Sequence, residues 1–184
     1  IIASAYPYQS VNTNPDFLDA LLRVLFDYGL KKENIVIAEQ ALIGSDVTEA
    51  ALKAGILGIC KKNGIGFVDI SQSLFEEIKS EDYTFRIFKD ALKYKIINVP
   101  IMKTNFQFGI SGAVENLTRL TDEKTQREMY YEGIEKTLPS MIQLLPEVLT
   151  IGDATSGMQG QGPLALGEPA FLNLIMASKS APKL

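Results

Sequence analysis

Short apolar runs alternate with helical patterns in the first part of the chain, and this alternation constrains the fold more than any other feature. Asn14 followed by Pro15 predicts a helix start, and the helix should run to about Tyr28. The continuous apolar runs 35–38 and 66–68 are typical of parallel strands covered on both faces. This order of elements predicts right-handed crossovers and a parallel sheet with helices on its faces.

The remaining patterns fit the same fold class. We expect a helix capped by Ser45 or Asp46, helical turns at 74–78, an edge or hairpin strand at 83–88, and strands at 1–5, 96–99, 148–151 and 171–176. Ser111 should cap a helix through Leu117, and Pro139 should kink or break a longer helix over 130–145. The predicted fold is a three-layer α/β/α domain whose central sheet is mostly parallel, with one antiparallel edge strand or hairpin.

Length and charge limit the domain count and the classes of partner. With 184 residues, of which 46% are hydrophobic, the chain is predicted to form a single α/β domain over 1–184, and we expect it to be a fragment of a longer protein truncated at both ends. A net charge of −4 gives no basic footprint, so nucleic acid is not an expected partner. No apolar run approaches the roughly 20 residues of a membrane span, and no signal-peptide start is present. We therefore expect a soluble cytoplasmic protein without a membrane partner.

The scarcity of histidine and cysteine excludes several kinds of chemistry. The chain contains no histidine, which rules out Ser-His and Cys-His nucleophile pairs and His-ligated metal within it. Its single cysteine, Cys60, cannot hold an iron–sulfur cluster by itself. The apolar neighbours Leu57 and Ile59 predict that Cys60 is a small buried hydrophobe.

Polar residues that follow the predicted strands are the functional candidates, because open parallel sheets bind ligands outside the carboxyl ends of their strands. This predicted rim contains Glu39, Asp69, Lys103, Asn105, Asp153, the glycine loop 157–163, Ser178 and Lys179. Lys103, isolated after the strand 96–99, is either an anion holder or an exposed surface residue. Glu39 and Asp69 have the alternative reading of solvated turn residues.

Gly157, Gly160 and Gly162 form part of the most glycine-rich loop in the chain. Such a loop can expose successive backbone N–H groups to an anion, as phosphate-binding nests do. It is not a Walker loop, because no Gly-Lys-Ser or Gly-Lys-Thr follows. It is not a dinucleotide fingerprint either, because it leads to Pro163 and a strand rather than a helix. A long turn that needs positive φ is the alternative interpretation.

Several motifs together resemble one known family. They are Thr13-Asn14-Pro15, NVPIMKTN at 98–105, GISGAVEN at 109–116, GDATSGMQGQGP at 152–163 and LIMASKSA at 174–181. In this order they resemble the domain of unknown function 362 over nearly the whole chain. By this resemblance, the following residues match positions of the family's motifs: Lys103, Thr104, Asn116, Asp153, Gly157, Gly160, Gly162 and Pro163. It also implies a prokaryotic protein of an iron–sulfur associated family, with any ferredoxin-like partner or module outside this chain.

Two departures from the family pattern affect any shared chemistry. The usual histidine of the central motif is Asn105, and the usual lysine before Asn116 is Glu115, which reverses a charge. The same stretch is distantly similar to the N-terminal domain of lactate-racemase-type enzymes, where a lysine in a Gly-Ser-Gly-Gly context holds a nickel-pincer nucleotide. This chain keeps Ser111 and Gly112 but has Glu115 at the corresponding place. Covalent attachment of that cofactor is therefore not expected.

Two functional hypotheses follow. In the first, an anionic ligand or nucleotide-like cofactor is bound by Lys103, Thr104, Asn105, Asn116, Gly157, Gly160 and Gly162. Lys103, Asp153 and Glu115 are then the catalytic candidates, and Asp153 and Glu115 are also the metal candidates, with either available for proton transfer. In the second, the chain is a non-catalytic ligand-binding or scaffold domain that has lost the family's histidine and lysine.

Overall fold

The structure is a computed structural model that describes residues 11–40, 42, 44–163 and 166–183. The helices are α1 (Pro15–Asp27), α2 (Val47–Lys53), α3 (Ile56–Asn63), α4 (Ala113–Asn116), α5 (Glu123–Glu132) and α6 (Ile134–Gln143). The strands are β1 (Val36–Glu39), β2 (Gly66–Asp69), β3 (Phe75–Lys79), β4 (Thr84–Phe88), β5 (Ile96–Asn98), β6 (Ile101–Asn105), β7 (Gly109–Ser111), β8 (Val148–Gly160), β9 (Gly167–Ala170) and β10 (Leu174–Ser178). The α/β class is confirmed, while the strand predicted at 1–5 lies outside the described residues.

Polar side chains fix three of the helix starts. The side-chain oxygen of Asn14 accepts a hydrogen bond from the N–H of Asp16 at 2.9 Å, with Pro15 as the first helical residue. Asp46 caps α2 and Asp122 caps α5 in the same way. A capping oxygen satisfies a backbone donor that the helix leaves free, which explains why the starts at Asn14 and Asp46 were predictable.

Strand β8 forms the middle of the central sheet. Its residue Asp153 pairs with Ile101 of β6 and with Ile175 of β10, so these two strands lie on opposite sides of β8. On the first side β5 and β6 run parallel to β8, and on the other side β9 and β10 run antiparallel to it. Strand β7 pairs antiparallel with β6. The predicted parallel core is confirmed, and antiparallel strands lie along both edges.

Two smaller sheets precede this one along the chain. Strands β1 and β2 pair in parallel from Val36 opposite Gly66 to Glu39 opposite Asp69, as the strand–helix alternation predicted. Strands β3 and β4 form an antiparallel hairpin, which confirms the hairpin strand predicted at 83–88. The helical turns predicted at 74–78 are wrong, because this segment takes its backbone hydrogen bonds from β4.

Two predicted strands have different limits in the structure. The strand predicted at 148–151 continues to Gly160, so Asp153 lies within it. The last strand begins at Leu174 rather than 171 and is antiparallel. The polar and glycine residues after Ile151 remain in the sheet because β6 lies on one side of them and β9 and β10 on the other.

The two predicted helices after β7 also differ from expectation. Ser111 lies within β7, and Gly112 precedes the single turn of α4 without a side-chain cap. The helix predicted at 130–145 is instead a pair of helices that meet at Gly133, whose φ of 101° is one that glycine adopts readily. Pro139 lies inside α6, so the break falls at the glycine and not at the proline.

The two largest of four hydrophobic clusters among the described residues pack helices and strands together. The first joins α1, α2 and α3 through Leu22, Ala51 and Ile56, and it also contains Cys60, which is buried as predicted. The second packs the hairpin strand β4 against α5 and α6. No described helix combines the length and apolar character that a bilayer crossing requires.

Candidate functional site

Lys103 lies in the middle of β6, with its side chain inside the protein. Ile101, Lys103 and Asn105 alternate with the half-buried Met102 and Thr104, so the first three are buried on one face of the strand. Only 4% of Lys103 is exposed, and its ammonium donates to the carbonyl oxygen of Val11 at 3.0 Å. The predicted loop position is wrong, because the chain passes Pro100 and re-enters the sheet at Ile101.

Residues 11–14, called the strap below, cross this face of the sheet. Besides the bond from Lys103 to Val11, the hydroxyl of Thr13 donates to the carbonyl of Val99 at 3.1 Å. The backbone N–H of Asn14 donates to Oδ2 of Asp153 at 3.2 Å. The strap therefore uses the polar atoms of two residues that the sequence assigned to a ligand site.

Asp153 is fully buried, and both of its carboxylate oxygens have partners. Oδ2 accepts from Asn14, and Oδ1 accepts from the N–H of Thr155 at 3.0 Å and from its hydroxyl at 2.6 Å. The backbone N–H of Asp153 donates to the carbonyl of Pro100 at 2.8 Å. This carboxylate joins β8 to the start of α1.

A second group of polar side chains is linked to Lys103 by charge and to one another by hydrogen bonds. We call Lys103, Glu115, Arg119, Gln126 and Tyr130 the polar cluster. Burial lowers the pKa of Lys103 to about 8, because the charged ammonium loses its hydration. The carboxylate of Glu115 opposes this shift and the guanidinium of Arg119 adds to it, so both charges act on the ammonium.

Glu115 holds one hydrogen bond and leaves one oxygen without a partner. The hydroxyl of Tyr130 donates to Oε1 of Glu115 at 3.2 Å. Burial, together with the Glu115 carboxylate, raises the pKa of Tyr130 to about 12, so this hydroxyl stays protonated at physiological pH. Oε2 of Glu115 is buried without a hydrogen-bond partner among the described residues.

Arg119 shows the complementary feature, a buried donor without an acceptor. The residue is 8% exposed, and its Nη1 donates to Oε1 of Gln126 at 2.8 Å, but Nε has no partner in the described part of the chain. Nε2 of Gln126 donates to the carbonyl of Thr121 at 2.8 Å and to the side-chain oxygen of Gln40. The cluster is thereby linked to the residue that follows β1.

A cavity of about 240 Å³ opens at the carboxyl ends of β1 and β2. It is lined by Gln40, Leu42, Gly44, Ser45, Val47, Ser71, Gln72, Phe75, Asp122 and Glu123. Its position agrees with the rule that ligands collect beyond the carboxyl ends of parallel strands. Gln40 is the lining residue that connects this cavity to the polar cluster.

The predicted asparagine and threonine site residues hold structural hydrogen bonds. Asn105 donates to Ser111 at 2.8 Å, and its oxygen accepts from the N–H groups of Gln107 and Phe108, which shapes the turn between β6 and β7. Asn116 donates to the buried side chain of Asn98 at 2.7 Å, which joins α4 to β5. The Thr104 hydroxyl donates to the carbonyl of Met158 at 3.4 Å, between β6 and β8.

The predicted glycine loop is largely strand. Gly157 and Gly160 belong to β8 and pair with β9, and only Gly162 follows the strand. A Cβ on Gly157 would lie 2.4 Å from the carbonyl oxygen of Met102, and one on Gly162 would lie 2.3 Å from that of Thr104. These two glycines therefore allow close backbone approach to β6. Gly160 has a φ of 73°, which favours glycine for a different reason.

The structure brings only some residues of the predicted rim close to one another. Glu39 lies near enough to Lys103 for its charge to raise the pKa of the ammonium. Asp69 instead caps the turn after β2 by accepting from Ser71. Ser178 pairs with Thr150 at the start of β8, so Ser178 and the following Lys179 lie at the opposite end of the sheet from the rim. This part of the prediction is wrong because β10 is antiparallel.

Sequence reasoning missed Arg119, Tyr130, Gln126 and Gln40. The one local signal was Arg119, a charged residue between Leu117 and Leu120 in an apolar stretch. As for metal ligands, the described residues contain no group of three or more His, Cys, Asp or Glu side chains that could hold an ion. Asp153 and Glu115 have separate hydrogen-bond partners.

Fold and site together define an α/β domain with a buried, incompletely paired polar cluster beside the carboxyl ends of its strands. The chain belongs to the family described as Domain of unknown function (DUF362), whose model matches residues 2–184. The resemblance drawn from the sequence motifs is thereby confirmed. No curated protein and no solved structure matches the chain.

Proposed function

We propose that this chain is a ligand-binding domain whose polar cluster holds a small anionic group. The observation that carries the proposal is the Arg119 guanidinium, which is 8% exposed and has a buried Nε without an acceptor in the described residues. An unpaired buried polar group costs about 1–3 kcal/mol, and more when it is charged. A bound oxyanion would supply the missing acceptor and would offset that cost.

The charges around Arg119 favour an anion over other ligands. Lys103 places a second buried cation in the cluster, and its ammonium can donate further hydrogen bonds besides the one to Val11. Guanidinium groups bind carboxylate and phosphate oxygens through paired N–H donors. Glu115 offers an unpaired acceptor that a protonated group of the same ligand can use, and it is our candidate for proton transfer.

A non-catalytic scaffold role is the alternative, and the strap favours it. Lys103 and Asp153 both bind the backbone of residues 11–14, which is how side chains hold a fold together. In that case the polar cluster would be completed by water and would bind no ligand. Metal binding by Asp153 or Glu115, the roles predicted for the glycines, and a ferredoxin-like partner stay predictions.

Thermal unfolding in the presence of inorganic phosphate, acetate and AMP tests the proposal. A ligand at 100 times its dissociation constant adds about 2.7 kcal/mol to the free energy of unfolding, so at least one of these anions should raise the Tm clearly. The variant Arg119→Gln should lose that rise. Arg23→Gln is the matched control, because Arg23 lies on the exposed surface of α1 and pairs with Asp19.

Two results would contradict an anion site. One is a wild-type Tm that none of the anions changes, which would favour the scaffold role. The other is a folded Arg119→Gln protein with an undiminished rise. If Arg119→Gln does not fold, Lys103→Met replaces it, because Met fills the same space without the buried charge.

A further inference from the structure

Polar side chains line much of the cavity at the carboxyl ends of β1 and β2. Gln40 follows β1, Ser71 and Gln72 follow β2, and Asp122 and Glu123 lie at the start of α5. These side chains supply hydroxyl, amide and carboxylate groups from separate elements of the fold. The hydroxyl and amide groups both donate and accept hydrogen bonds and the carboxylates accept them, which is what the hydroxyl groups of a ligand require.

The described lining of the cavity supplies no cation for a second anion. No lysine or arginine is among its described lining residues. The two carboxylates are already paired with cations outside the lining, Asp122 with Arg86 at 2.7 Å and Glu123 with Arg127 at 2.6 Å. They therefore present acceptor oxygens more than uncompensated charge, and an additional phosphate or carboxylate would meet no cation among the described lining residues.

Two amide side chains separate the cavity from the unpaired guanidinium nitrogen. The side-chain oxygen of Gln40 accepts from Nε2 of Gln126, whose own oxygen accepts from Nη1 of Arg119. An incoming anion can take the place of the Gln40 oxygen on Gln126 without leaving that donor unpaired. Gln40, released from this bond, keeps both a donor and an acceptor for the ligand.

We infer that the cavity and the polar cluster form one site for a small molecule with a single anionic group on a neutral hydroxylated body. The inference rests on the proposed function, since the anion is the group received by Gln126 and Arg119. The hydroxyl groups of the body bind Ser71, Gln72 and Asp122. At about 240 Å³ the cavity is smaller than the roughly 300–1,000 Å³ of drug-sized sites, so the body has the size of a single sugar ring.

Calorimetric titration with three probes tests this inference. Ribose 5-phosphate should bind about 10-fold more tightly than inorganic phosphate, since one or two added hydrogen bonds have that effect. Ribulose 1,5-bisphosphate should bind no more tightly than ribose 5-phosphate, because its second phosphate meets no cation. A bisphosphate that binds 10-fold more tightly than the monophosphate would overturn the inference.

Substitutions in the cavity wall test the binding of the hydroxylated body independently of the binding of the anion. The double substitution Ser71→Ala with Gln72→Ala should remove most of the preference for ribose 5-phosphate and leave the affinity for phosphate unchanged. Gln143→Ala, at an exposed position of α6 outside the cavity, is the matched control and should keep the preference. A double variant that keeps the full preference would overturn the inference.

The outcomes distinguish this inference from the function on which it rests. If neither phosphate nor ribose 5-phosphate binds, the anion site itself is wrong. If phosphate binds and ribose 5-phosphate binds no more tightly, the anion site stands and the hydroxylated body is wrong. If ribose 5-phosphate binds equally well to wild type and Arg119→Gln, the link between cavity and cluster is wrong.

Discussion

Asp153 and Glu115 are two carboxylates that the sequence assigned to the same site, and the structure treats them differently. Asp153 is fully buried, and its oxygens accept from Asn14 and from both donors of Thr155. Glu115 accepts from Tyr130 with one oxygen and leaves the other buried and unpaired among the described residues. Asp153 bonds to the strap, and Glu115 belongs to the polar cluster around Lys103.

The difference shows how a structural carboxylate can be told from a ligand-binding one. Every oxygen of Asp153 is satisfied within the protein, so a ligand would have to displace existing hydrogen bonds. Glu115 and its neighbour Arg119 have hydrogen-bonding capacity that no described residue uses. Buried polar groups without hydrogen-bond partners lower the stability of a fold. The polar cluster is therefore the better candidate for a function.

Asp153→Ala should have the largest effect on stability. It removes a carboxylate that accepts three hydrogen bonds and leaves the N–H groups of Asn14 and Thr155 without acceptors. We expect the free energy of unfolding in urea to fall by about 3 kcal/mol. Asp90→Ala, at an exposed position, should change it by less than about 0.5 kcal/mol. A loss below about 1 kcal/mol for Asp153→Ala would show that the strap contact contributes little.

The pH dependence of stability should reveal Lys103. Its pKa is about 8 in the folded protein and about 10.4 in an unfolded chain. Between these values the unfolded state binds more protons, so stability rises with pH, by on the order of 3 kcal/mol in total. Urea unfolding from pH 7 to 10.5 should show this rise in wild type and lose it in Lys103→Met.

Lys124→Met is the control for Lys103→Met, because Lys124 is exposed on α5. It should keep the wild-type rise. An anion bound in the polar cluster would favour the charged ammonium and raise the pKa of Lys103, so saturating phosphate should shift the rise to higher pH. A rise that is identical in Lys103→Met and wild type would contradict the burial of this charge.

Substitution of Asn105 should lower the free energy of unfolding for the same reason as substitution of Asp153, but by less. Asn105→Ala loses the acceptor for Gln107 and Phe108 and the donor to Ser111, so unfolding should become easier by about 2 kcal/mol. Asn105→Asp keeps the acceptor and should lose about half as much. Equal losses in both variants would mean that the bond to Ser111, and not the turn, is what Asn105 contributes.

Glu115→Gln should have the smallest effect on stability, within about 1 kcal/mol, because it removes a buried charge that the fold leaves partly unpaired. It should also lower the pKa of Tyr130 from about 12, since the carboxylate contributes to that shift, but not to the ordinary value, because burial remains. Ultraviolet titration of the tyrosines, with Tyr130→Phe to assign the signal, measures this change. An unchanged pKa would show that burial alone determines it.

Local signals in the sequence predicted two of the helix starts, at Asn14 and Asp46, but not the others. Asn14 with Pro15 and Asp46 cap α1 and α2 through hydrogen bonds to residues two or three positions away, so the sequence contains the whole interaction. The parallel pairing of β1 with β2 was also predictable, because short apolar runs separated by helices allow few other arrangements.

The extent of β8 was not predictable from local chemistry. Glycine, serine and threonine after Ile151 are typical of loops, yet they stay in a strand paired on both sides. Gly157 is there because the carbonyl of Met102 comes too close for any side chain. A close approach between segments far apart in the chain leaves no periodic pattern, so a glycine required by packing looks like a glycine required by a turn.

The polar cluster was missed for a related reason. Lys103, Arg119 and Tyr130 come from β6, from the turn after α4 and from α5, and only the tertiary fold brings them together. The sequence identified Lys103 and Glu115 because they stand out within one short stretch. It could not show which of their hydrogen bonds the fold would satisfy.

The strap has a consequence for the order in which this protein forms during synthesis. Its contact with Asp153 joins residues 139 positions apart, and its contacts with Val99 and Lys103 span 86 and 92 positions. At about 5–20 residues per second, a ribosome needs roughly 7–28 s to add those 139 residues. Helix α1 can form early from its own cap, but the segment before it must wait for the last third of the chain. The strap is therefore among the last of the described segments to be fixed in place.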